Sequence, residues 1–177
     1  MDANSKEKVL QEVLFNHLWL LDPSWERATD AHLEERIGTS FPEFPLPQDE
    51  KDSRLDIRYK RASGAHVIVE LKRYSVSTDS FTLARQIAKY KNIMQKVLMD
   101  RGEERPYIEI VCIVGNPLTD WSFENGRQES REILRAKSAR VMTYDELLDS
   151  ARNSYSEYMR GREGLDRIRQ VIESLEG

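Results

Sequence analysis

The chain has 177 residues and 20.7 kDa, 39% hydrophobic and 33% charged, which is the length of one domain with enough apolar residues for a core and too many for a disordered chain. Its longest apolar runs, residues 18–21 and 110–114, fall far short of the ~20 residues of a membrane-spanning helix, no signal-peptide pattern opens it, and the lone Cys112 excludes an internal disulfide, so a reducing cytoplasm is expected. The net charge of −4 argues against a general nucleic-acid binder, yet residues 1–53, 54–101 and 102–177 carry −7, +7 and −4, so the basic middle is set to face something anionic.

Val9, Leu10, Val13, Leu14, Leu18 and Leu21 follow helical spacing and predict an amphipathic helix over residues 6–21, closed by Asp22-Pro23. Residues 29–37 suit a short strand or a helical turn. Residues 38–53, with Pro42, Pro45 and Pro47 among acidic side chains, predict a loop. Two runs, 54–61 and 65–71, separated by Ala62-Ser63-Gly64, predict a hairpin. A long helix is predicted over 78–99, a central strand over 107–114, a helix over 128–137 and a strand over 139–142. Helices over 144–159 and 165–175 complete the chain. This order reads as an α/β fold with a mixed sheet, in one domain with a core at about residues 8–150 and a helical extension at about 151–177.

The second run of the hairpin alternates, with Val67, Val69 and Leu71 on one face and Ile68, Glu70 and Lys72 on the other. A three-residue bend with glycine last, in the left-handed conformation, sets Arg61 against Ala65 and therefore Asp56 across from Glu70 on one face. A two-residue Ser-Gly bend would instead send the two carboxylates to opposite faces.

In the first register two carboxylates and a lysine converge. Carboxylates that close repel unless a proton or cation intervenes. Hard oxygen donors with open positions suit Mg²⁺, and an adjacent lysine can orient a water or stabilise charge on a phosphate. The other reading of the same residues is a set of cross-strand salt bridges worth ~0.5 kcal/mol each.

At these residues the sequence resembles the PD-(D/E)xK nuclease superfamily, whose αβββαβ core matches the order above: Asp56 ends the second strand and Glu70-Leu71-Lys72 lies on the third. Gln86-Ile-Ala-Lys-Tyr90 resembles the Gln-x-x-x-Tyr motif of RecB-like and Mrr-like members. Leu18-Trp-Leu-Leu-Asp-Pro, Arg-Leu-Asp-Ile-Arg-Tyr and Val-Ile-Val-Glu-Leu-Lys-Arg are similar to Shedu-like nuclease domains of anti-phage systems. The family's frequent proline before the aspartate is Leu55 here.

The resemblance implies a restriction-endonuclease-like core, a mixed central sheet flanked by helices with extra C-terminal helices, and a Mg²⁺-dependent nuclease acting on nucleic acid, DNA in the first instance, with Mn²⁺ as a substitute. Asp56, Glu70 and the backbone carbonyl of Leu71 would hold the ion, Lys72 would serve the attacking water, and Gln86 and Tyr90 would position substrate. Glu12 is the candidate for an additional acid from the first helix, with Glu35 behind it. Arg58, Lys60, Arg73, Arg85 and Lys89 would contact phosphates. A homo-oligomer, or a larger ATPase-containing defence protein, is the expected setting. The alternative is a binding or oligomerisation module that keeps this fold without cleaving.

Overall fold

The computed structural model describes residues 3–21, 28–43, 48–72, 75–156 and 160. Helix α1 (Ala3–Asn16) and a 3-10 turn (Leu18–Leu20) lead to strand β1 (Ala28–Arg36). Two short helical turns, α2 (Ile37–Ser40) and α3 (Gln48–Lys51), precede strands β2 (Arg54–Arg61) and β3 (His66–Leu71). Helix α4 (Ser80–Asp100), strand β4 (Ile108–Val114), a second 3-10 turn (Thr119–Ser122), helix α5 (Gly126–Arg135) and strand β5 (Ala139–Thr143) follow. Residues 144–156 are helical. The expected helix over 165–175 lies outside the described residues, whereas the first helix ends at Asn16 and gives way to the 3-10 turn, short of the expected close at Asp22-Pro23.

The strands form one sheet in the order β1-β2-β3-β4-β5, antiparallel from β1 to β3 and parallel from β3 to β5. Parallel neighbours need crossovers, which α4 and α5 supply. This is a mixed α/β fold with helices on both faces of a five-stranded mixed sheet, the arrangement of a restriction-endonuclease-like core. Alternation along each strand divides the apolar side chains between two cores. Ile68, Ile110, Cys112 and Val141 meet Leu83, Ile87, Met94 and Val97 of α4 on one side. Val67, Val69, Val111 and Ile113 meet Leu14 of α1 and Leu147 on the other. No helix among the described residues is long and apolar enough to cross a membrane.

Helix α4 shows how locally these elements are specified. Asp79 caps it by accepting from Thr82 N at 2.8 Å, and no proline or glycine interrupts the 21 residues that follow. It ends at Gly102, whose φ of +92° closes the last turn as Gly102 N donates to Met99 O and Glu103 N to Leu98 O.

Two further expectations change. The segment from Gly38 to Ser53 is not wholly loop, because its prolines fall outside the interiors of α2 and α3 and so do not break them. The 29–37 ambiguity resolves as strand β1, in which Asp30 and Glu34 stand at φ 48° and 51° and the pairing with β2 shifts between Thr29 and His32. That bulge removes the clean alternation by which a strand is recognised.

Candidate active site

The hairpin bend adopts the three-residue form. Gly64 stands at φ +96°, Gly64 N donates to Arg61 O at 2.9 Å, and Arg61 N donates to Ala65 O at 2.8 Å. The pairs Lys60↔His66, Tyr59↔Val67, Arg58↔Ile68 and Ile57↔Val69 follow in that register. Continued one step further, it sets Asp56 opposite Glu70.

At that step the ladder opens. Leu71 N donates to Asp56 Oδ2 at 2.7 Å, so a carboxylate takes the amide that a further rung would need. The strand bends there: Leu55 enters the core under α4 while Ile57 enters the core under α1, whereas regular alternation keeps residues i and i+2 on one face. Asp56 sits in the resulting cleft, and its Oδ1 accepts from Gln11 Nε2 on α1 at 3.1 Å.

Glu70 is held from the opposite face. Its Oε1 accepts from Lys72 Nζ at 3.0 Å and from Gln86 Nε2 at 2.6 Å. Gln86 Oε1 accepts from the same Lys72 Nζ at 2.6 Å, and Gln86 Nε2 also reaches Tyr90 Oη at 3.1 Å. One amide on α4 thus fixes the glutamate, the lysine and the tyrosine together, as residues one helical turn apart can.

Glu70 is 6% exposed. Burial, reinforced by the negative charge of Asp56 and opposed by Lys72, pushes its carboxyl up to about 7. Burial and the charge of Glu70 likewise push the Tyr90 phenol up to about 12, which keeps it a neutral hydroxyl. Cys112, paired with Glu70 across the parallel ladder, is buried and its thiol is pushed well above the usual range by desolvation, so it is no nucleophile here.

Asp56, Glu70, Leu71, Lys72, Tyr90 and Arg54 line one open cavity of about 510 Å³. Glu70 Oε2 is buried and has no hydrogen-bond partner among the described residues, a deficit that a cation in the cavity would relieve. Among those residues no group of three or more His, Cys, Asp or Glu side chains gathers as a metal-ligand cluster. The available donors are therefore the hard oxygens of Asp56, Glu70 and the Leu71 carbonyl, a set suited to Mg²⁺, which takes one or two carboxylates and leaves its other positions to water and phosphate. A groove of about 560 Å³ between α5 and β5, lined by Arg131, Arg135, Arg140 and Glu146 among others, contains no comparable pair of buried carboxylates.

Searches of protein-family models and of curated proteins return no match. Among solved structures the chain is similar in part to one described as "Structure of EndoMS-dsDNA2 complex", with 14% identity and a TM-score of 0.46 over 81% of this chain and 45% of that one. The present chain thus spans less than half the length of that neighbour.

Other candidates from the sequence lie elsewhere. Glu12 is exposed, and it is Gln11, one position earlier and 2% exposed, that reaches Asp56 from α1. Arg58 is no surface phosphate ligand: its side chain is buried, paired with Glu35 through two nitrogens and with Asp30 Oδ2 at 2.9 Å. That pairing also commits Glu35. Lys60 pairs with Glu103 at 2.9 Å and lies beside the bend end of the hairpin, away from the cavity. Arg85 is exposed and Lys89 half-buried on α4, next to Gln86 and Tyr90 respectively. Arg73 lies outside the described residues. Sequence reasoning missed Gln11, which carries no motif, and Arg54, which the two-residue period from Asp56 along β2 would have flagged.

Proposed function

We propose that the chain is a divalent-metal-dependent nuclease that hydrolyses phosphodiester bonds of DNA, of the PD-(D/E)xK type and nearest in character to the Shedu-like domains of anti-phage defence. The observation that carries this reading is the meeting of Asp56, Glu70 and Lys72 on one cavity, with the buried Glu70 Oε2 lacking a partner. A plain salt-bridged hairpin face would not bury a carboxylate beside another and leave one of its oxygens unsatisfied.

In this reading Asp56, Glu70 and the Leu71 carbonyl hold the ion. When bound, Mg²⁺ would supply Lewis acidity at the phosphate and make water more acidic. The protein's own groups do the rest. Gln86 fixes Lys72 Nζ beside Glu70, so the ammonium is already oriented when substrate arrives and stabilises negative charge as it grows on the phosphate oxygens. Gln11 and the Leu71 amide hold the Asp56 carboxylate from two directions. Water adds to phosphorus while a P–O ester bond breaks; the water loses a proton and the leaving oxygen gains one. Arg54, exposed on the cavity wall and paired there with Glu34 at 3.4 Å, would meet a neighbouring phosphate by exchanging that surface partner. The setting that goes with this reading is a homo-oligomer or a larger ATPase-containing defence protein.

The test is cleavage of plasmid and of single-stranded DNA with Mg²⁺ or Mn²⁺, comparing wild type with Asp56→Ala and Lys72→Ala. Wild-type cutting that both substitutions reduce by roughly 10²-fold or more is expected. Cutting that persists equally in both variants would remove Asp56 and Lys72 from the reaction, and no cutting by wild type or either variant under any divalent ion, within the natural full-length assembly, would favour the non-cleaving binding module.

A further inference from the structure

Lys72 is the first residue past β3, which ends at Leu71, and Glu70 and Gln86 hold its ammonium. Its main chain is held as well. Lys72 N donates to Ile113 O of β4 at 2.8 Å, and Lys72 O accepts from Tyr144 Oη at 3.3 Å. The Lys72 N–H belongs to the peptide that carries the Leu71 carbonyl, and Lys72 O to the peptide after it, so both planes flanking the Lys72 Cα are tied.

Tyr144 is in turn placed by the sheet and by a helix start. Strands β3, β4 and β5 run parallel and in step, with Leu71 beside Ile113 and Ile113 beside Met142. Lys72 and Tyr144 therefore emerge at the same carboxyl end of the sheet, where open α/β sheets place their ligands. Strand β5 ends at Thr143, and a reciprocal cap opens the helix over residues 144–156: Glu146 N donates to Thr143 Oγ1 at 3.2 Å and Thr143 N donates to Glu146 Oε2 at 2.9 Å. The Tyr144 ring packs against the core under α1, on the other side of the sheet from Gln86. The ring serves that core whatever its substituent; the hydroxyl is what reaches Lys72.

We infer that Tyr144 is a positioning residue of the proposed site: by holding the Lys72 carbonyl, its hydroxyl fixes the base of the side chain whose tip Glu70 and Gln86 hold. The inference deepens the nuclease reading and rests on it for its purpose. A lysine stem is flexible, so acceptors at its tip set Nζ on the cavity only when its Cα is also fixed. A shift of the main chain at Lys72 passes to Nζ and, through the shared peptide, to the Leu71 carbonyl, and misplacement of reacting groups costs rate.

The experiment uses Tyr144→Phe, which keeps the ring and removes only the donor. In EDTA, NMR of protein carrying isotope-labelled lysine should show a Lys72 ammonium signal, identified by its absence from Lys72→Ala and sheltered from exchange by its two acceptors. In Tyr144→Phe that signal should exchange faster with water, while those of Lys60 and Lys91, bonded elsewhere, stay as they were. With Mg²⁺, kcat for DNA cleavage should fall roughly tenfold with KM changed less than about twofold, and the substitution should cost nothing further in the Lys72→Ala background. A Lys72 signal missing from the wild type, unchanged in the variant, or altered together with those of Lys60 and Lys91 overturns the inference. So does an unchanged kcat, or an equal loss in both backgrounds, which is what a tyrosine that only supports the fold would give. If the wild type cuts no DNA, the nuclease reading fails by itself and the NMR comparison still decides whether Tyr144 places Lys72.

Discussion

Gln11 Nε2 donates to Asp56 Oδ1 at 3.1 Å across a buried contact between α1 and β2, so the helix on one face of the sheet sets the aspartate while the helix on the other sets Glu70. Replacing Gln11 by leucine should cost about 1 kcal/mol of stability and weaken Mg²⁺ binding by freeing the carboxylate. Gln11→Glu should do the opposite for the ion: a third acid lowers the melting temperature in EDTA and enlarges the rise that Mg²⁺ produces. Thermal unfolding with and without Mg²⁺ reads both, and an unchanged Mg²⁺ response in either variant would remove α1 from the site.

Glu70 makes the metal-free protein sensitive to alkali. Its folded-state carboxyl, raised from the ordinary 4.5 to about 7, keeps a proton that the unfolded chain gives up, so its contribution is full below pH 4.5 and is lost as pH rises through 7. Urea unfolding in EDTA should show stability falling between pH 5 and pH 8 by on the order of 2–3 kcal/mol. Glu70→Gln should flatten that slope. A rise over the same window, or a slope unaltered by the substitution, contradicts the buried, repelled carboxylate.

Arg58 is a structural cation. Its side chain is 5% exposed and that of Glu35 is 2% exposed, and removing one partner strands the other without water, at a cost of about 3–5 kcal/mol. Arg58→Met should therefore lower the urea midpoint sharply, yet the salt dependence of DNA binding by the folded fraction should not change, because no phosphate contact is lost. Arg54→Gln should show the converse pattern, with a small stability effect and a shallower salt slope.

Gly126 leaves no room for a side chain. A Cβ there would overlap the carbonyl oxygen of Asp120, which is backbone, and the side chain of Asp120 ties Ser80 of α4 to Ser130 of α5. Gly126→Ala should destabilise by roughly 3 kcal/mol, and Asp120→Ala, which removes the acceptor of buried Ser80 N and Oγ while Ser130 Oγ keeps Gly126 O at 2.6 Å, by about 2 kcal/mol. Chemical denaturation checks both; near-neutral values would mean that α4 and α5 are not locked together.

The hairpin was legible because two local signals agree: the strands alternate, and only glycine suits the last position of that bend. The position of α4 was legible from its apolar stripe and from the absence of any interior breaker. Other features depend on tertiary context. Arg58 reads in sequence like any basic residue of a half-exposed strand, and only folding shows that β1 brings Glu35 and Asp30 to it. Gln11 is neutral and belongs to no recognised spacing. The opening of the ladder at Asp56 arises from a carboxylate competing with a backbone carbonyl for one amide, an outcome that pattern cannot anticipate.

Gly64 stands at the opposite end of β3 from Glu70, roughly 20 Å away at about 3.3 Å per residue. Exposed loop tips ordinarily absorb insertions and deletions without harm. This one acts as a ruler: losing a single residue between 62 and 64 would slide one arm of the hairpin past the other and dismantle a distant acidic pocket without altering any of its side chains.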